Sequence, residues 1–324
     1  MKHTAKITTI LVVMFVVTQL IGLAVIQAYT PQKLQVEING TLQNVTYDPL
    51  PSWFQQPEVK ENMDFWKILP SILIAFVIAI GVVFLLSKYK LTGLLRAWFF
   101  IVIVMVLWLT IYAFEILVPW QINYTVALII PTLISLVVAY FKVFKRNLLV
   151  HNISELFIYP GIAAVFVPIF NIWTVIILLL IISIYDMWAV WHSGFMQKMA
   201  HFQINELKVF GGFFVPYLNK KQRAEMKKQK ELAKNAKLTK NQKQKTKSMK
   251  VNLAILGGGD VVFPIITAGV VLRSLGLLPA LIITACATLS LLALFLMAKK
   301  GKFYPAMPFI TAGLLIGIGL AYLI

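Results

Sequence analysis

Nine stretches of this chain are each apolar enough and long enough to cross a bilayer as a helix, and this leaves few folds open. A hydrocarbon core about 30 Å thick takes about 20 apolar residues per helical crossing. Only helices and closed barrels satisfy their own backbone there. The runs lie near residues 7–29, 66–87, 93–118, 122–141, 152–170, 172–193, 251–274, 277–298 and 303–324. They dominate a 324-residue sequence that is 60% hydrophobic and 13% charged, whereas soluble domains run at about a quarter charged. The expected fold is an all-α polytopic membrane protein with nine transmembrane helices.

The first run follows Lys2, His3 and Lys6. It exceeds the apolar core of a signal peptide, about 7 to 15 residues, and lacks a small-residue cleavage site, so it reads as an uncleaved first span. The single cysteine, Cys286, lies in the eighth run, which excludes an intramolecular disulfide.

The net charge of +18 is concentrated in one place. Residues 198–250 hold fourteen lysines and one arginine against Glu206, Glu225 and Glu231. Smaller basic clusters sit at Lys2 and Lys6, at Lys88, Lys90 and Arg96, at Lys142, Lys145 and Arg146, and at Lys299, Lys300 and Lys302. Every second loop is therefore basic. Basic loops stay cytoplasmic, which predicts a cytoplasmic N-terminus, an external C-terminus and an odd number of spans. The division expected is a six-span half (1–193) with an external loop at 30–65, a cytoplasmic Lys-rich loop (194–250), and a three-span half (251–324). The external loop carries Glu37, Asp48, Glu58, Glu61 and Asp64, and sequons begin at Asn39, Asn44 and Asn123. The lysine loop reads as a solvated linker that fixes topology, with attraction to anionic lipid as a second role. No folded module surrounds its charges, which argues against nucleic-acid binding. Phe210 to Leu218, "FGGFFVPYL", reads as an interfacial or hinge segment.

Acids inside spans cost several kcal/mol and need a reason. Two lie well inside. Asp186 precedes Lys198 by twelve residues and Asp260 follows Lys250 by ten. At 1.5 Å per helical residue those offsets are roughly 18 and 15 Å from the same membrane face, which predicts nearly equal depth. Two carboxylates a few ångströms apart do not both ionise readily, so they share a proton, and one acts as base while the other acts as acid. That is the chemistry of aspartic proteases, in which the pair activates water against a peptide carbonyl. Gly257, Gly258 and Gly259 remove side chains just before Asp260, which lets a helix, a substrate or water approach and lets the helix bend. In "KFYPAMPF", Pro305 and Pro308 withhold backbone donors at the start of the last span.

At these three places the sequence resembles the presenilin and signal peptide peptidase family of intramembrane aspartyl proteases. The family is marked by Tyr-Asp in the sixth of nine spans, Gly-x-Gly-Asp in the seventh and Pro-Ala-Leu in the ninth. Here these read Tyr185-Asp186, Gly257-Gly258-Gly259-Asp260 and Pro305-Ala306-Met307, with methionine in place of leucine. Chain length and basic loop are most similar to compact prokaryotic presenilin homologues. The resemblance implies that Asp186 and Asp260 are catalytic. It also implies that Tyr185 and the three glycines support the dyad, and that Pro305, Ala306 and Met307 border the site and bind substrate backbone. Implied too are a transmembrane protein or peptide substrate and no metal or organic cofactor.

The main alternative is a proton- or cation-coupled transporter using the two acids beside a glycine-broken helix; a non-catalytic assembly protein is a third. A zinc protease needs two histidines four apart around a glutamate, and His3, His151, His192 and His201 lack that spacing. His192 and Ser193 are neighbours at a span end and read as interfacial. Glu115, Glu155 and Arg273 read as structural. Gly313 and Gly317 read as packing of the last span within the chain, and a homo-oligomer stays open.

Overall fold

The structure, a computed structural model, describes residues 5–38, 41–47, 49–51, 62–89, 91–118, 123–145, 147–193, 211–217, 252–298 and 304–324. Its described residues form nine α-helices and two short two-stranded antiparallel sheets. The helices are α1 (Ala5–Ala28), α2 (Asn62–Lys88), α3 (Thr92–Leu117), α4 (Tyr124–Phe144), α5 (Leu148–Phe166), α6 (Ile172–Trp188), α7 (Gly258–Leu275), α8 (Leu277–Met297) and α9 (Met307–Ala321). Seven are long and apolar enough to cross a membrane, while α9 and the Pro70–Val83 part of α2 are shorter apolar helices. A large part of the outer surface is aliphatic or aromatic, including Val77, Trp98, Leu133 and Ile184. That surface suits lipid and not water.

Helix α1 lies at the centre, packed on α5, α7 and α8, with Leu11 and Phe15 almost wholly buried. Without a hydrophobic drive between helices in lipid, close approach depends on small residues. A Cβ on Gly161 of α5 would stand 2.0 Å from the Val106 carbonyl oxygen of α3. On α9, Gly313 and Gly317 play the same part against Ser290 and Ile283 of α8, as expected of packing within the chain.

The strands are where the sequence reading needs correction. β1 (Gln32–Ile38) and β2 (Thr41–Tyr47) pair within the segment read simply as an external loop. β3 (Gly212–Tyr217) lies in the segment read as a hinge, and it pairs with β4 (Asn252–Gly257). The run 251–274 is therefore no single span. Its first residues form a strand, and α7 begins only at Gly258. A strand rises about 3.3 Å per residue, so helical offsets are the wrong ruler for the depth of Asp260. The last run likewise turns helical only at Met307. Residues 194–210 and 218–250, most of the lysine loop, lie outside the described residues, as do Asn39 and Lys299 to Lys302.

The α3–α5 contact gives a test of the packing. Gly161→Ala drives a methyl group into backbone, so it should lower stability by about 1–3 kcal/mol, read as a fall in the melting temperature of the detergent-solubilised protein.

Candidate active site

Each of the two acids lies near a helix end. Asp186 sits in the last turn of α6, 5% exposed, and its Oδ2 accepts a hydrogen bond from the Met307 amide at 3.0 Å. Met307 is the first residue of α9, whose Ala306 N-cap offers no side-chain acceptor. A helix start leaves several amides unpaired. Asp186 therefore caps α9 from another helix, and the negative carboxylate suits the positive end of the helix dipole. Pro308 occupies the first turn, where its missing N–H costs nothing. One turn away, Ser183 Oγ donates to Thr311 Oγ1 at 2.7 Å, a second polar link between α6 and α9.

Asp260 is the third residue of α7. Gly257 is the N-cap, with φ −63° and ψ 145°, where the chain leaves β4. The Asp260 carboxylate turns back to the Gly257 backbone, as an acid at the third helical position does in a capping box. A Cβ on Gly257 would stand 3.1 Å from Asp260 Oδ2, and one on Gly258 would stand 3.0 Å from the Tyr159 hydroxyl oxygen. Those two glycines make room for the acid and for Tyr159. Gly259 meets only Phe263 of its own helix, at ordinary contact distance. Helices α6 and α7 pack together, the last turn of one carrying Asp186 and the first turn of the other Asp260.

The structure thus brings Asp186, Asp260, Pro305, Ala306 and Met307 to one end of α6, α7 and α9. Pro305 and Met307 are buried, and Ala306 is partly so. Tyr185 is placed differently. Its side chain is 45% exposed, its ring faces Trp188 at 6.4 Å, and among the described residues its hydroxyl bonds neither acid.

Sequence reasoning passed over three contacts around the site. Gln19, fully buried on α1, donates from Nε2 to the Val261 carbonyl at 3.0 Å, just after Asp260. Tyr159 fills the space that Gly258 leaves and meets Phe213 edge-on at 5.5 Å. Ser183 and Thr311 form the third contact. The spacing of Ser183 before Asp186 and of Thr311 after Met307, about one turn each, was a usable signal. Gln19 and Tyr159 are set only by tertiary packing.

Among the described residues no three His, Cys, Asp or Glu side chains gather as a metal site. A cavity of about 360 Å³ lined by Asn171, Trp173, Arg273 and Tyr322 lies toward the far end of α7, away from the acids.

Residues 50–324 match the family described as signal-peptide peptidase, presenilin aspartyl protease. Among solved structures, a presenilin family intramembrane aspartate protease in space group C222 aligns with a TM-score of 0.58 at 14% identity, covering 98% of each chain. A P2 crystal form of a presenilin family intramembrane aspartate protease aligns with a TM-score of 0.53 at 15% identity, covering 97% of this chain and 96% of the other. At that identity the likeness is one of fold. No curated protein matches the chain. None of these comparisons supports the carrier alternative.

The cap predicts a separable structural effect. Asp186→Ala removes the acceptor for the Met307 amide and should cost about 1 kcal/mol of stability. Asp186→Asn keeps an acceptor oxygen and should melt close to wild type.

Proposed function

Because this chain belongs to the family of signal-peptide peptidases and presenilin aspartyl proteases, enzymes that cut within the membrane, we propose that Asp186 and Asp260 are the pair that hydrolyses peptide bonds in transmembrane helices. What carries this reading is the convergence described above: one acid closes α6 against the first amide of α9, the other opens α7, and α6 packs on α7.

The pair shares one proton. The ionised carboxylate takes a proton from water as its oxygen attacks the scissile carbonyl carbon, and the protonated partner donates to the carbonyl oxygen. The tetrahedral diol then collapses. Its carbon–nitrogen bond breaks, the amine nitrogen receives a proton from the carboxyl that took one from water, one diol hydroxyl returns its proton to the other carboxylate, and the products are a carboxylic acid and an amine, with the pair again sharing one proton. Asp186 is held in place by the α9 amide while it does so. Gly257 leaves room for the Asp260 carboxylate to fold back, and Gly258 leaves room for Tyr159 beside it.

A transmembrane helix hides its carbonyls, so the substrate must unwind locally. An extended stretch can add as a strand beside Pro305 to Met307 and along β4, the strand that runs directly into α7. The Tyr185 ring, exposed beside Asp186, borders this approach. From the basic loops we take the N-terminus as cytoplasmic and the C-terminus as external. The preferred substrate is then a single span with its N-terminus outside, cut toward the cytoplasmic side.

Cleavage of such a span by purified protein in liposomes tests the reading. Wild type should cut and be stopped by a transition-state-mimicking aspartyl protease inhibitor. Asp260→Ala and Asp186→Asn should each lose at least about a thousandfold in rate, the scale on which removing one member of a catalytic unit acts. Retained cleavage by either variant would sink the dyad.

A further inference from the structure

Strand β3 is gripped on one edge by side chains of α5. Asn152 takes both main-chain groups of Phe214. Its Nδ2 donates to the Phe214 carbonyl at 2.7 Å, and its Oδ1 accepts from the Phe214 amide at 2.9 Å. The side-chain amide thus stands where the peptide of a neighbouring strand would stand. His151 Nε2 lies 2.8 Å from the Gly212 carbonyl oxygen. A carbonyl only accepts, so Nε2 carries the proton, and Nδ1 is left as acceptor toward Lys142 Nζ at 3.4 Å. Lys142 Nζ also bonds Glu155 Oε1 at 2.6 Å, with both side chains almost fully buried. The His151 ring covers Phe214, their centroids 5.0 Å apart.

Both main-chain groups of a strand residue point to the same edge, and the edge alternates along the strand. Gly212, Phe214 and Pro216 therefore share the edge turned to α5. Two of them are taken by His151 and Asn152, and Pro216 has no N–H to offer. Phe213 and Val215 point the other way, toward Leu256 and Ala254 of β4. Among the described residues the edge left over is that of β4, where Leu253, Ile255 and Gly257 turn away from β3, and Ile255 is exposed. A buried ion pair is a poor source of stability, but it is attested as a device that fixes one arrangement over others.

We propose that Asn152 and His151, braced by Lys142 and Glu155, are positioning residues that close the outer edge of β3 and lock its register. A substrate strand is then admitted only along β4, and its scissile bond reaches Asp260 in one register. The inference rests on the protease reading. A slip of β3 by two residues, about 7 Å, would carry β4 and the start of α7 with it.

The test uses the full-length protein with Asn152→Ala and, separately, His151→Phe, which keeps a ring on Phe214 but loses the bond to Gly212. Two readouts are taken. Hydrogen exchange of the peptide spanning residues 211–217 should speed up by about tenfold in Asn152→Ala, as expected for loss of two hydrogen bonds. Mass spectrometry of the cleavage products, per folded molecule, should show cutting spread from one bond to its neighbours in both variants, with kcat lowered more than KM is raised. A residue that merely supports the fold would lower the melting temperature and leave the product termini unchanged. Unchanged termini, or unchanged exchange at 211–217, overturns the proposal. If wild type itself fails to cut, the protease reading fails, and the exchange readout still decides whether the grip on β3 exists.

Discussion

A helix that begins inside a protein core leaves amides with no partner within the helix itself. Helix α9 meets this problem at Met307, and the Asp186 carboxylate resolves it from a different helix, 121 residues away in sequence. Much of the architecture follows from that bond. It accounts for why α9 starts at Met307, why prolines are tolerated on either side of that start, and why Ser183 and Thr311 repeat the link one turn deeper. It also ties the Pro305 to Met307 segment to the acid beside which the substrate would lie. An acid in such a place serves stability through the oxygen that caps α9, and under the proposed dyad its carboxylate would serve chemistry as well.

The second acid reaches the site by another device. The chain comes in as strand β4 and becomes helix within the run of glycines, so that Asp260 falls in the first turn of α7 and folds back over Gly257. Its position is only as good as that of the strand before it. Strand β4 is held by β3, and β3 is held by Asn152 and His151 on α5. From the other side, Gln19 of α1 ties down the carbonyl just past Asp260. The acid is thus fixed by polar contacts from two helices that contribute no residue to the three sequence motifs.

Nine helices, their order and the two acids were legible because hydropathy over about 20 residues and charge inside a span are local signals. The strands were not. Residues 252–257 are as apolar as any span, and a short apolar run does not tell strand from helix. Asn39-Gly40 between two alternating stretches was a readable hairpin signal that a search for long apolar runs passes over. Tyr159, Gln19, Asn152 and the Lys142–Glu155 pair take their meaning from partners far away in the chain. Glu155 was read as structural, and it became informative only once Lys142 and His151 were seen around it. The Tyr185 ring, expected to support the dyad, is half-exposed beside Asp186 and tilts toward Trp188. A family motif names a residue without fixing its rotamer.

The central claim is that Asp186 and Asp260 act as one proton-sharing unit, and the pH dependence of kcat/KM on a membrane-embedded substrate tests it most directly. The account predicts a bell-shaped profile bounded by two ionisations that belong to the pair, with no cutting by variants lacking either carboxyl. A profile with a single limb, or one that stays flat across the range in which the protein remains folded, would contradict it.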